Sequence, residues 1–204
     1  MSQTAILIAD DHSMIRKGLK LYLQLNLGQD DLTEVGSCHE VMKELVKKKY
    51  THLVLDILLA DGSSLEIIPN IRRVYPNLQI LIFSMQPAEV YAEALRQYQV
   101  NQYLSKTASE DEIIRVLTLF IHNQPQTVVL EGMTRRDNPF SALAPRELEV
   151  LHYVLQGLGT KGIAETLNLK MNTVSTIKTR IYEKTSAANI RELLELASLY
   201  NVNY

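Results

Sequence analysis

Short apolar, β-branched runs alternate with amphipathic stretches along the first 122 residues. The runs fall at 4–10, 33–36, 52–56, 78–83 and 100–104, and the spacing between them predicts helices near 12–26, 39–49, 64–74, 87–98 and 109–122. In 109–122, Ile113, Ile114, Leu117, Phe120 and Ile121 recur on one helical face. The run 78–83 is apolar throughout rather than alternately, as expected of a strand covered on both faces. Five strands alternating with five helices imply parallel βαβ units, so the first part reads as α/β, a doubly wound five-stranded parallel sheet.

The periodicity stops between 123 and 141, where Pro125, Gly132 and Pro139 appear, and that stretch reads as a linker with a short ordered piece at 127–130. Four short helical patterns follow, near 145–156, 160–167, 171–185 and 189–200, which makes a second, smaller all-α domain over 142–204. Pro145 at a first-turn position with Glu147 behind it is a sound helix start. Asn168 to Asn172 forms a tight turn between the second and third patterns.

Composition narrows the class without naming it. Hydrophobic residues make up 46% and charged residues 22%, which suits a globular chain. No apolar run approaches a membrane span, and 5–9 lacks a basic lead-in and a cleavage site, so the expected location is the cytoplasm, with no membrane partner. Cys38 is the only cysteine, which excludes an internal disulfide and a cysteine-based zinc cluster. The net charge of −2 divides into 12 Lys/Arg against 15 Asp/Glu over 1–124 and 7 against 6 over 141–204. Within the second part, cations concentrate between 170 and 184 as Lys170, Lys178, Arg180 and Lys184 against Glu183 alone.

In an open parallel sheet, functional side chains gather where the carboxyl ends of strands open into a crevice. Asp10 and Asp11 follow the first run, Asp56 the third, Ser84 the fourth and Lys106 the fifth. Three crowded carboxylates require a cation, and hard oxygen ligands with room left for water suit Mg²⁺. Once Asp56 carried a phosphoryl group, Ser84 would donate to one of its oxygens and Lys106 would pair with another. Each residue also has a plainer reading: Asp11 or His12 as a helix cap, Ser84 as a loop serine, Lys106 as a solvated cation. All five at one edge of the sheet favour the functional reading.

The set Asp10–Asp11, Asp56, Ser84 and Lys106, in that order, resembles the receiver domain of two-component response regulators over 1–122. The resemblance implies a flavodoxin-like fold, phosphorylation of Asp56 by a sensor histidine kinase, and a Mg²⁺ site of Asp10, Asp11, Asp56 and the backbone carbonyl of Leu58. It also makes Tyr103 a switch residue that follows Ser84 toward the phosphoryl group; a half-buried strand tyrosine fits the sequence equally. Two positions depart from the pattern. Ala60 stands where receivers often have proline, so loop rigidity differs. Met85 stands where a small residue is usual after Ser84, and a long side chain there predicts a long-lived phosphoryl group or poor use of small phosphodonors.

Residues 160–181 read as two short helices joined by a turn, a helix-turn-helix whose second helix would enter the major groove. Val174, Ile177 and Ile181 share an inward face, while Thr173, Ser175, Thr176, Lys178, Thr179 and Arg180, with Lys161 ahead of them, offer hydroxyls and cations to phosphates and base edges. A small helical bundle used only for dimerisation accounts for the same pattern. The order of residues from Leu143 through Lys184 resembles the LuxR-type domain, and with the receiver it gives the architecture of the NarL/FixJ class. Gly162 and Thr185 depart from that pattern at positions that bear on the strength of the domain. The class implies a transcription regulator, not an enzyme, that binds double-stranded DNA as a homodimer when active and works with RNA polymerase. Its last helix, with Leu193, Leu194, Ala197 and Leu199, would contribute to dimerisation. A phosphate-independent factor with a fixed receiver, and a phosphatase using Asp56 as nucleophile, are the competing readings; the second wants an acid where Leu58 stands.

Overall fold

The computed structural model describes residues 4–124 and 138–202, and the expected ordered piece at 127–130 lies outside them. By packing, the described residues form two units, one of 4–85 with 98–124 and the other of 86–97 with 138–202.

The first unit is built on β1 (Ile6–Ala9), α1 (Ser13–Leu27), β2 (Leu32–Val35), α2 (Cys38–Lys47), β3 (His52–Leu55), the two-residue strands β4 (Leu58–Leu59) and β5 (Gly62–Ser63), α3 (Ile68–Val74), β6 (Gln79–Ser84), β7 (Gln102–Ser105) and α5 (Glu110–Ile121). Five strands pair in the order β2-β1-β3-β6-β7, all parallel, as the apolar runs predicted. Alternate residues of each strand point to opposite faces. Ile6, Ile8, Val54, Leu81, Phe83 and Leu104 therefore meet Leu19 and Leu23 of α1 and Val116, Leu117, Phe120 and Ile121 of α5 in one core.

Two details differ from the expected elements. The stretch 64–74 is not one helix: Ser64–Glu66 forms a 3₁₀ turn and α3 starts at Ile68. Pro69 explains the break, because its ring is tolerated only in the first turn and would clash with the carbonyl four residues earlier. Ahead of it, β4 and β5 form a tight antiparallel hairpin, with Gly62 at φ 135° supplying a conformation closed to other residues.

The second unit contains α4 (Ala88–Arg96), a 3₁₀ turn at Pro139–Ala142, and four helices: α6 (Pro145–Leu155), α7 (Thr160–Thr166), α8 (Met171–Thr185) and α9 (Ile190–Leu199). The 3₁₀ turn lies in the expected linker, yet Phe140 is fully buried and stacks edge-on against Tyr200. Val174, Ile177 and Ile181 of α8 are buried as their spacing predicted. Asn168, at φ 51°, turns the chain between α7 and α8. The Thr185 hydroxyl is buried but donates to the Ile181 carbonyl at 2.7 Å, so this departure leaves no unsatisfied polar group.

Candidate functional site: an acidic pocket and a helix-turn-helix

The chain reverses its winding at β1, which pairs with β2 on one side and β3 on the other. The crevice at the carboxyl ends of β1 and β3 is where such sheets place their sites, and Asp10 and Asp56 follow those strands directly. Asp56 N donates to the Ala9 carbonyl (2.9 Å) and Asp10 N to that of Val35 (3.2 Å), so both residues leave the sheet in fixed register.

The structure brings together Asp10, Asp11, Asp56, Ser84 and Lys106. Asp10, Asp56 and Ser84 are each at most 5% exposed. The Lys106 ammonium, whose side chain is 3% exposed, lies 2.6 Å from Asp10 Oδ2 and 2.5 Å from Asp56 Oδ2. Ser84 Oγ donates to the other Asp56 oxygen at 2.5 Å. The Asp56 carboxylate thus has a hydroxyl on one oxygen and a cation on the other. Leu58 sits beside it, its N–H 3.5 Å from Asp56 Oδ1. Tyr103 is buried in β7, paired with Ile82, rather than half-buried.

Burial pushes the Asp56 carboxyl above its ordinary range; Lys106 and Ser84 pull it back, and the charge of Asp10 adds to the rise. Burial also works against the Lys106 ammonium, but Asp56 and Asp10 outweigh it and hold the proton more tightly than usual. The pocket therefore carries three carboxylates against one firmly charged ammonium.

Sequence reading offered His12 only as a helix cap and passed over Arg16. His12 does not cap α1 with its side chain. Its imidazole lies 2.6 Å from Asp11 Oδ1 and 3.3 Å from Asp10 Oδ1, so Asp10, Asp11, His12 and Asp56 all present ligand atoms within 4.8 Å of one another. Arg16 donates to the Asp10 carbonyl at 2.5 Å and stands 3.7 Å from Glu34, which fixes the loop that carries the acids. A bond from a side chain to a backbone carbonyl six residues back leaves no trace in the spacing of residue types. The set has the chemistry of a hard-cation site: converging carboxylate oxygens in excess of positive charge.

In the second unit, Thr173, Ser175, Thr176, Thr179 and Arg180 are exposed along α8, Lys178 is half-buried, and Lys161 is exposed 3.9 Å from Glu165. The hydroxyls of Thr176 and Thr179 donate to the carbonyls of Asn172 (2.9 Å) and Ser175 (3.1 Å), which turns their lone pairs outward as acceptors. Two expectations are corrected. Lys184 does not belong to the basic surface: its ammonium is 2.6 Å from the buried Glu147 carboxylate and 3.1 Å from the Ala142 carbonyl. In α9, Leu193 and Ala197 are fully buried within their own unit and offer nothing to a partner, while Leu199 is exposed.

Comparison with known proteins agrees with both halves. The family model of the response regulator receiver domain matches residues 6–118, and that of the luxR family of bacterial regulatory proteins matches 141–197. The oxygen regulatory protein NreC of Staphylococcus epidermidis is 27% identical over 211 residues, covering 94% of this chain and 95% of its own length. BvgA of Bordetella pertussis is 28% identical over 206 residues, covering 97% and 98%. Among solved structures, RcsB of Salmonella enterica serovar Typhimurium bound to the P1flhDC promoter with phosphomimetic BeF₃⁻ has a TM-score of 0.77 at 22% identity, covering 97% of this chain and all of that one. Two RcsB dimers bound to two parallel DNAs give a TM-score of 0.70 at 21% identity, covering 96% and 98%.

Proposed function

The chain belongs to the response regulator receiver family and carries a LuxR-family segment behind its receiver, and from this premise we propose that it is a transcription regulator switched by phosphorylation of Asp56. The observation that carries the proposal is the Asp56 carboxylate itself, buried between Ser84 Oγ and Lys106 Nζ at 2.5 Å each, in a pocket with two further acids.

A sensor histidine kinase would present a phosphohistidine; an Asp56 oxygen attacks phosphorus as the phosphorus–nitrogen bond breaks, and the imidazole leaves with the electron pair. Asp10, Asp11, Asp56 and the Leu58 carbonyl would hold Mg²⁺, which when bound neutralises charge on the transferring oxygens. Ser84 then donates to one phosphoryl oxygen, and Lys106 exchanges part of its pairing with Asp56 for another. Tyr103 follows Ser84, and the population shifts toward the form that binds DNA. This reading takes 1–122 as receiver, 123–141 as linker and 142–204 as DNA-binding domain.

Lys161, Thr173, Ser175, Thr176, Lys178, Thr179 and Arg180 would meet double-stranded DNA, with α8 in the major groove and two copies on neighbouring half-sites. RNA polymerase is the proposed partner at the promoter, and a non-enzymatic regulator in the cytoplasm is the corresponding cellular role. Among the described residues, no helix is long and apolar enough to cross a membrane.

The test is Mg²⁺-dependent labelling by acetyl phosphate or a kinase, paired with genome-wide mapping of bound sites in wild type and Asp56→Asn. Labelling that survives Asp56→Asn, or kinase-stimulated DNA binding unchanged by it, overturns the proposal.

A further inference from the structure

The loop that follows Asp56 is held from outside the pocket. Asp61, at the tip of the β4–β5 hairpin, accepts the N–H of Cys38 on Oδ1 at 2.6 Å and the N–H of His39 on Oδ2 at 2.9 Å. These are the first two amides of α2, which have no acceptor within their own helix, and a carboxylate suits the positive end of the helix dipole. Next to it, Ala60 donates its N–H to the Gly36 carbonyl at 3.1 Å, a bond that proline there could not make.

The helix does not depend on Asp61 for its own cap. Ser37 Oγ already accepts from Glu40 N at 3.1 Å. What Asp61 adds is a tie between two loops. Gly36, at the receiving end, also borders the third: a β-carbon there would stand 3.8 Å from the Asp10 carbonyl and 3.6 Å from the Arg16 guanidinium that holds it. The loops carrying Asp10–Asp11 and Asp56–Leu58 are thus referenced to each other through Gly36 and the backbone amides of Cys38 and His39.

We infer that Asp61 is a positioning residue for the cation site: its carboxylate locks the β4–β5 hairpin to the start of α2, so that the Leu58 backbone is held in register with Asp10, Asp11 and Asp56. The inference rests on the proposed function for the role of Leu58. The hairpin is only two residues per strand, too short to hold its own geometry. With Ala60 in place of a ring-stiffened residue, the rigidity comes from hydrogen bonds across to α2.

The experiment is Mg²⁺ titration of the full chain by calorimetry and by amide shifts of Asp56 and Leu58, for wild type, Asp61→Ala, Asp61→Asn and Ser37→Ala. Asp61→Ala is expected to weaken Mg²⁺ binding about tenfold, the low end for a group that orients a metal ligand. Acetyl-phosphate labelling should then need more Mg²⁺ but reach the wild-type rate at saturation. Asp61→Asn, which keeps one acceptor, should fall between. Ser37→Ala, which weakens the helix start without touching the hairpin, should leave Mg²⁺ affinity unchanged. Wild-type affinity in Asp61→Ala, or an equal loss in Ser37→Ala, overturns the positioning role while the proposed function stands. Absence of Mg²⁺ binding by wild type removes both.

Discussion

Two residues, one beside the pocket and one at the far end of the sheet, have consequences that can be measured. Met85 directly follows Ser84 and is 47% exposed. If its thioether chain reaches over the pocket, it would restrict the approach of water to a phosphoryl group on Asp56. Met85→Ala should therefore shorten the phosphoryl half-life, measured by the decay of labelled protein after removal of the donor; decay no faster than wild type rules out the shielding. At the opposite end of the sheet, His52 is 2% exposed, edge-on to Phe120, with its Nδ1 2.8 Å from the Thr51 hydroxyl. Burial holds its pKa below 6.5. The unfolded chain then binds a proton near pH 6.5 that the folded chain refuses, so the unfolded state gains protons first as pH falls. Stability is full above about pH 6.5 and declines below it, by at most about 1.4 kcal/mol per pH unit. Urea unfolding of the receiver at pH 7.5 and 5.5 should show that loss, and His52→Gln should reduce it; equal pH dependence in the two proteins would place its origin elsewhere.

At the scale of elements, what could be read from sequence was what has a period. The parallel strands and long helices appear near the expected places because burial on two faces, or on one helical stripe, leaves a repeating signature. The exceptions have none. The β4–β5 hairpin is too short to alternate, and the 3₁₀ turns at 64–66 and 139–142 are shorter than one amphipathic repeat, though Phe140 is a core residue. The start of α3 was available from Pro69, whose placement outweighs the apolar pattern before it. In the pocket, strand ends located the five side chains, but ties such as Arg16 to the Asp10 carbonyl depend on backbone geometry alone. Helix α7 offers a direct test of how a sequence departure acts. Gly162 lies inside it, and a β-carbon there would meet only Leu158 at 3.9 Å, an ordinary contact. Gly162→Ala should stabilise the helical unit by about 0.5–1 kcal/mol, by lowering the entropy of the unfolded chain. Thermal unfolding of this variant with no gain would mean that the glycine serves something other than backbone freedom.

For the whole molecule, the net charge of −2 sets a limit on how DNA can be held. A chain with little global attraction for a polyanion depends on cations placed at the interface, and each phosphate neutralised adds about one to the salt dependence of binding. The apparent supply on α8 is reduced by the fold, since Lys184 neutralises Glu147, whose side chain is 7% exposed, and braces the Ala142 carbonyl. Arg180 is exposed on the same helix and forms no ion pair among the described residues. The two cations should therefore fail differently. Lys184→Ala takes the cation from a buried carboxylate that keeps the Ala144 N–H and should cost about 1–3 kcal/mol of stability, with the salt slope of DNA binding unchanged at temperatures where the variant is folded. Arg180→Ala should leave the unfolding temperature near wild type and reduce the magnitude of the salt slope by about one per protomer. Titrating each variant against operator DNA across a range of salt, beside thermal unfolding, separates the two. A reduced slope with unaltered stability in Lys184→Ala would return that lysine to the DNA surface, and would mean that the Glu147 pair opens when DNA is bound.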